Sequence, residues 1–143
     1  MFYVVQDCGG HLVAHEVIAL GHEGLEGAGV LQAAKFRGEK WSTLCDGVVR
    51  NLPKQVYVSV DIDGFDPKLC PDTGTPVPGG LDYNEFVELL RALLRAKKQV
   101  VGFDINEVAP SRLTKPADWG ADWNANVGSR VLYKLIGAAA KSR

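Results

Sequence analysis

Three aspartates follow an apolar run near the middle of the chain. The stretch VYVSVDIDGFDP, residues 56–67, places carboxylates at Asp61, Asp63 and Asp66. Side chains two residues apart share one face of a strand, so Asp61 and Asp63 can converge if strand geometry persists to Asp63. Close carboxylates repel each other unless a cation or hydrogen-bond donors hold them. The pair therefore predicts a divalent metal site, whereas Asp66, which precedes Pro67, fits a structural role in a turn.

A second set of acids follows another apolar run. The stretch VVGFDINEVAP carries Asp104 near the end of the run and Glu107 just past it. Both runs, residues 55–62 and 99–105, are short and rich in Val and Ile, which is typical of strands buried in a parallel sheet. Ligands of such sheets gather beyond the carboxyl ends of the strands. We therefore expect the acids at one edge of the sheet, with the alternative that strand-end aspartates only bind their own backbone.

Three amphipathic segments predict the helices that position these strands. Residues 81–98 have apolar side chains at helical spacing, and Asp82 with Glu85 fits a capping box. Residues 41–52 and 124–141 show similar apolar stripes. A strand, a helix and a second strand form a βαβ unit with parallel strands and a right-handed crossover. The alternation predicts a three-layer α/β/α fold with a mainly parallel sheet.

The composition is that of one globular domain. The chain has 143 residues, of which 46% are apolar and 23% charged, and its net charge of −1 gives no general attraction to nucleic acid or to anionic membranes. The three cysteines, Cys8, Cys45 and Cys70, show no C-x-x-C pair or disulfide spacing. Polar residues interrupt the apolar opening segment before it reaches the length of a signal peptide or membrane span. We expect a soluble, cytoplasmic protein without nucleic-acid or membrane partners.

Two known D-x-D-G patterns fit poorly. An EF-hand that starts at Asp61 would need glycine at its sixth position and glutamate at its twelfth, where this chain has Asp66 and Asp72, so this option fails. Magnesium-dependent phosphatases of the haloacid-dehalogenase type have threonine after the glycine, where this chain has Phe65. The phosphatase hypothesis stays as a weak alternative.

A third pattern fits over a longer stretch. SVDIDGFDPKLCPDTGTPVPGGL followed by GFDINEVAP closely resembles the ureohydrolase family, which includes arginase, agmatinase and formimidoylglutamase. The likeness is strongest over residues 56–110 and extends loosely from about 37 to 136. We therefore divide the chain into a poorly matching segment, residues 1–36, and the C-terminal portion of a ureohydrolase-like domain, residues 37–143.

The resemblance implies a fold, a reaction and residue roles. It implies a partial arginase-like α/β/α fold and a binuclear Mn²⁺ site whose bridging hydroxide attacks a guanidinium carbon, with release of urea from arginine, agmatine or a related compound. Asp61 and Asp63 match the metal ligands of the second aspartate motif. Glu107 matches the acid that receives the guanidinium, Thr75 would line the pocket, and Asp104 would support the site without ligating. No residue is assigned as catalytic.

The chain departs from the family pattern at the other metal ligands. The upstream G-G-x-H and D-A-H-x-D motifs are absent, and the sequence around His11 lacks the spacer of the first. We transfer no ligand to His11, His15 or His22. The chain thus resembles the C-terminal half of the family only, and we expect weak metal binding by this half alone. Partners would be a guanidino substrate and either further copies of the chain or a complementing N-terminal half; a non-catalytic half-domain is the alternative.

Overall fold

The computed structural model describes the backbone of residues 2–8 and 11–16, and backbone and side chains of residues 40–76, 78–111, 115 and 122–143. The described residues form four strands and three α-helices. In chain order they are β1 (Phe2–Cys8), β2 (His11–Glu16), α1 (Trp41–Arg50), β3 (Gln55–Asp61), α2 (Tyr83–Arg95), β4 (Gln99–Asn106) and α3 (Trp123–Lys141).

The described strands form one sheet in the order β2-β1-β3-β4. β3 and β4 are parallel, with Asp61 opposite Asn106, and α2 connects them as predicted. β1 runs antiparallel to β3, with Val4 opposite Val58, and also antiparallel to β2. The α/β fold class is confirmed, but the sheet combines one parallel ladder with two antiparallel ones. The antiparallel pairing of β1 with β2 follows from the two-residue link between them, because so short a connection can only reverse the chain.

The core lies on one face of the sheet. Alternate residues of β3, namely Val56, Val58 and Val60, are buried there, as the two-residue period of a strand requires. The apolar stripes of the helices cover them; the buried members include Cys45 and Val49 of α1, Phe86, Leu89, Leu90 and Leu93 of α2, and Val127, Val131 and Leu135 of α3. One sheet and one helical layer of the predicted three-layer fold are therefore described.

Capping interactions fix the ends of two helices. The capping box predicted at α2 is present, with Asp82 and Glu85 each bound to the other's backbone. Asp122 caps α3 by accepting from Ala125 N at 2.9 Å, and its other oxygen accepts from Ser111 N at 2.7 Å. Asp122 thereby ties the segment after β4 to the start of α3. Within the described part of the chain, no helix is long and apolar enough to cross a membrane.

Candidate functional site

The two aspartates of the D-x-D pair lie on either side of a change in backbone structure. β3 ends at Asp61, and residues Ile62–Gly64 form a 3₁₀ turn, so strand geometry does not persist to Asp63. Asp61 caps this turn, because its Oδ1 accepts a hydrogen bond from Asp63 N at 3.0 Å. The two residues are held together by the turn rather than by a shared strand face.

The Asp63 carboxylate has one oxygen occupied and one free. Asp63 is 9% exposed, and its Oδ2 accepts from Thr75 N at 2.9 Å and from the Thr75 hydroxyl. Its Oδ1 is buried and has no hydrogen-bond partner among the described residues. Burying an unpaired carboxylate oxygen is costly, since it loses water and gains no donor. The arrangement fits a cation at Oδ1.

A loop holds Thr75 over this edge of the sheet. Leu81 N donates to Gly64 O at 2.9 Å, and Asp66 N donates to Leu81 O at 3.1 Å, so the end of the loop is bonded to the segment after the D-x-D pair. Gly80 lies so close to this segment that a Cβ there would be 2.6 Å from the backbone carbonyl of Phe65. The glycine is therefore required for the contact.

Asp66 has the structural role predicted for it. Its Oδ1 accepts from Lys68 N at 3.0 Å and its Oδ2 accepts from Gly79 N at 3.3 Å. Both donors belong to the loop that follows, so Asp66 stabilises the turn and the loop together.

Glu107 reaches the same loop from β4. Its backbone has a φ of 62°, in the left-handed region that non-glycine residues rarely adopt. Its Oε2 lies 3.5 Å from the position that a Cβ of Gly74 would occupy. Backbone conformations of this kind are concentrated at functional sites. The structure thus places the Glu107 carboxylate beside Gly74, the neighbour of Thr75.

Asp104 is engaged within the sheet. Its Oδ1 accepts from Ser59 Oγ at 2.7 Å and from Asn106 Nδ2 at 2.6 Å. Burial raises the pKa of Tyr57, and a hydrogen bond with Asp104 raises it further. These contacts agree with a supporting role. Ser59 and Asn106 were not predicted from the sequence. Each stands two residues from an acid in its own strand, at Asp61 and Asp104 respectively, and this spacing could have indicated them.

Cys70 is a further neighbour of the Asp63 carboxylate. Burial raises the pKa of its thiol to about 11, and the negative charge of Asp63 raises it too. The thiol is therefore protonated at neutral pH and is a poor nucleophile and metal ligand.

The histidine at the start of β2 lies far from the D-x-D pair. His11 of β2 pairs with Cys8 of β1, and Val5 of β1 pairs with Tyr57 of β3. These pairings put the backbone of His11 seven residues from that of Asp61 along the sheet, or about 23 Å at ~3.3 Å per residue. His22 lies outside the described residues.

The described residues do not form a metal site by themselves. Among them, no group of three or more histidine, cysteine, aspartate and glutamate side chains is placed to hold a metal ion. Asp61 and Asp63 fit such an ion through hard carboxylate oxygens.

The structure is an α/β protein in which β3 and β4 are parallel. Asp61, Asp63 and Glu107 lie at or just past the carboxyl ends of these two strands, and we call this group the D-x-D edge. Comparison of sequences identifies the family: the model of the Arginase family matches residues 21–137, and the chain belongs to this family. The predicted resemblance is thereby confirmed.

Individual relatives support the assignment. An agmatinase of Pyrococcus horikoshii is 44% identical over 94 residues, which are 66% of this chain and 30% of the relative. An N(1)-aminopropylagmatine ureohydrolase of Thermus thermophilus is 50% identical over 66 residues, 46% of this chain and 22% of the relative. The structure of proclavaminate amidino hydrolase from Streptomyces clavuligerus superposes with a TM-score of 0.67 and 31% identity, over 87% of this chain and 42% of that one. The chain thus spans less than half the length of these relatives.

Proposed function

We propose that this chain provides the D-x-D half of a manganese-dependent ureohydrolase site, which hydrolyses a guanidino C–N bond of arginine, agmatine or a related compound and releases urea. The observation that carries the proposal is the buried Oδ1 of Asp63, which has no hydrogen-bond partner among the described residues. Asp61 lies beside Asp63, and the Glu107 carboxylate lies beside Gly74 of the same loop as Thr75. Family membership supports the reaction class, since the names of the relatives describe agmatinase, ureohydrolase and amidinohydrolase activities. It gives no support to the phosphatase alternative.

The residues of the D-x-D edge and its neighbour Thr75 have distinct proposed roles. Asp61 and Asp63 would hold Mn²⁺ in a site that is binuclear in the family, and the metal supplies an activated water at neutral pH when bound. Thr75 orients Asp63 through two hydrogen bonds. Glu107 receives the planar guanidinium by paired, charge-assisted hydrogen bonds, which fix its orientation.

A second candidate function is a half-domain without turnover of its own. It is favoured by the lack of a third ligand among the described residues. In this form the chain would bind Mn²⁺ weakly and complete its site with a complementing N-terminal half or in a homo-oligomer. We propose a cytoplasmic location. The division after residue 36 stays a proposal from the motifs alone, and it separates parts of one sheet, because β1 and β2 pair within the sheet of β3 and the family match begins at residue 21.

A urea-release assay distinguishes the two candidates. The chain is supplied with Mn²⁺ and either arginine or agmatine, alone and together with the N-terminal half of an agmatinase. Urea from the lone chain supports a complete enzyme, whereas urea only in the mixture supports the half-domain. Asp61→Ala and Asp63→Ala must abolish either activity.

Metal titration provides a readout that does not depend on turnover. Calorimetry with Mn²⁺ should show binding that Asp63→Asn weakens by about tenfold or more, which is about 1.4 kcal/mol. Asp72→Asn is the matched control, since it removes the same charge from the same loop region and should leave binding unchanged. No urea in either arrangement, together with equal titrations of the two variants, contradicts the proposal.

A further inference from the structure

The outer face of α3 exposes large apolar side chains. Tyr133 is 73% exposed, Ile136 51% and Leu132 41%. Two of these three, Tyr133 and Ile136, border a groove of about 400 Å³ between α2 and α3, which we call the α2–α3 groove. It is lined by Val87, Leu90, Arg91, Leu94, Tyr133, Lys134, Ile136, Gly137, Ala138 and Lys141.

Small residues keep the α2–α3 groove open. Gly137 lies in it, and a Cβ at this position would have no other atom within 4 Å. Glycine in a helix interior is less favourable than alanine, and no contact within the described chain compensates for this. The lining runs from residue 87 to 94 on α2 and from 133 to 141 on α3, which is about 10–12 Å at ~1.5 Å per residue. This length accommodates two turns of a third helix.

The rim of the α2–α3 groove is positively charged. Arg91, Lys134 and Lys141 line it, and no carboxylate does among the residues that the structure describes. The whole of α3 carries basic residues but no acidic one, although the chain has a net charge of −1. Within the described part of the chain, neither lysine has a carboxylate at ion-pair distance, and Arg91 has only Glu88 at 3.8 Å. A second copy docked groove to groove would bring like charges together, which is unfavourable.

We propose that the α2–α3 groove binds an acidic amphipathic helix of a partner protein. Apolar side chains spaced three to four residues apart would enter the apolar floor, which is how helices are recognised in grooves. Carboxylates flanking this stripe would face Arg91, Lys134 and Lys141, which provides orientation and faster association. The inference does not depend on the proposed hydrolase function, because the groove lies on the helical layer and uses no residue of the D-x-D edge.

A defined peptide tests the apolar part of the proposal. The probe is a fluorescein-labelled, lactam-bridged peptide of about four helical turns, with leucines on one face and glutamates beside them, titrated with the full chain and followed by anisotropy. We expect saturable binding with a Kd of about 10 µM, and Gly137→Leu should weaken it about tenfold by filling the groove. Gly47→Leu is the matched control, because Gly47 is also helical with open space at its Cβ. Circular dichroism should show both variants folded.

Charge variants test the electrostatic part. Lys134→Glu with Lys141→Glu should weaken peptide binding about tenfold, whereas Lys40→Glu with Lys54→Glu changes the net charge equally and should not. A version of the peptide with lysine in place of glutamate should not bind. Equal weakening by both pairs, no binding of the glutamate peptide, or binding only to phosphatidylglycerol vesicles overturns the proposal.

Discussion

At the scale of single residues, the orientation of Asp63 decides what the edge can bind. Thr75 donates twice to Oδ2, so the carboxylate cannot rotate without losing two charge-assisted hydrogen bonds. Oδ1 is consequently fixed as a buried acceptor. Thr75 was expected to line the substrate pocket, and this stays a prediction; its contact in the structure is with Asp63.

Removal of the Thr75 hydroxyl should therefore affect both stability and metal binding. Thr75→Val leaves Asp63 with the backbone donor alone, and we expect a loss of about 1–3 kcal/mol in the free energy of unfolding, measured by urea denaturation. Mn²⁺ affinity should fall in the same variant. Thr75→Ser keeps the hydroxyl and should retain most of both; equal losses in the two variants would contradict the orienting role.

The buried thiol of Cys70 should react slowly with alkylating agents. Its pKa is raised from 9.0 to about 11, so the native state keeps a proton that the unfolded chain releases. Stability due to this group is present below pH 9.0 and is lost as the pH rises to about 11. In a Cys8→Ser background, mass spectrometry should show iodoacetamide labelling of Cys70 that still increases above pH 9. A plateau of the rate near pH 9 would mean that the thiol is not shielded.

The sequence identifies the acids of the edge but not their contacts. The spacing of Asp61 and Asp63 singles them out, because close carboxylates repel each other without a cation or donors, but the shared strand face on which this prediction depended ends at Asp61. The bond from Thr75 crosses a loop whose path depends on tertiary contacts, including the close approach of Gly80 to Phe65. Local sequence patterns carry no information about that path.

At the scale of elements, the loop that carries Thr75 depends on Gly80. In Gly80→Ala the new methyl group meets the backbone of Phe65 and Asp66, which cannot move aside as a flexible side chain would. We expect a loss of about 1–3 kcal/mol in the free energy of unfolding and weaker Mn²⁺ binding, since Thr75 is displaced with the loop. Thermal and calorimetric measurements check this.

The control for that variant is Gly47→Ala in α1. A Cβ at Gly47 meets nothing within 4 Å, and alanine is the better helix former, so stability should rise by up to about 1 kcal/mol. A similar loss in both variants would show that the close approach at Gly80 is unimportant.

The amphipathic patterns predict the helices well. The apolar stripes and the Asp82–Glu85 box identify α2, because caps and helical spacing are local properties. The 3₁₀ turn after Asp61 could not be predicted, since its apolar residue, Ile62, continues the pattern of the strand and is buried like it.

At the scale of the whole molecule, β4 forms the edge of the described sheet. Among the described strands it pairs with β3 alone, and Val101 on it is 51% exposed. Unprotected apolar edges promote association with other strands. Val101→Lys should raise the concentration needed for self-association about tenfold, or about 1.4 kcal/mol, in sedimentation velocity. Thr43→Lys, on the exposed side of α1, adds the same charge elsewhere and should have little effect; equal shifts would indicate a general charge effect.

The position of the N-terminal strands is the part of the fold that the sequence does not predict. The residues of β1 show a strand pattern, but its place beside β3 and its direction depend on long-range pairing. Conversely, the βαβ unit of β3, α2 and β4 follows from connection length and handedness rules.

The antiparallel pairing of β1 also has a kinetic consequence. Because β1 occupies the backbone donors and acceptors of β3 on one side, a parallel strand could take that place beside Asp61 only by displacing it. If the proposed complementing half docks a strand on that side, its binding is a strand exchange, with a rate limited by the opening of the β1–β3 ladder and not by encounter. A chain that lacks residues 1–16 would offer the open side at once and would assemble with a complementing half at a rate proportional to its concentration.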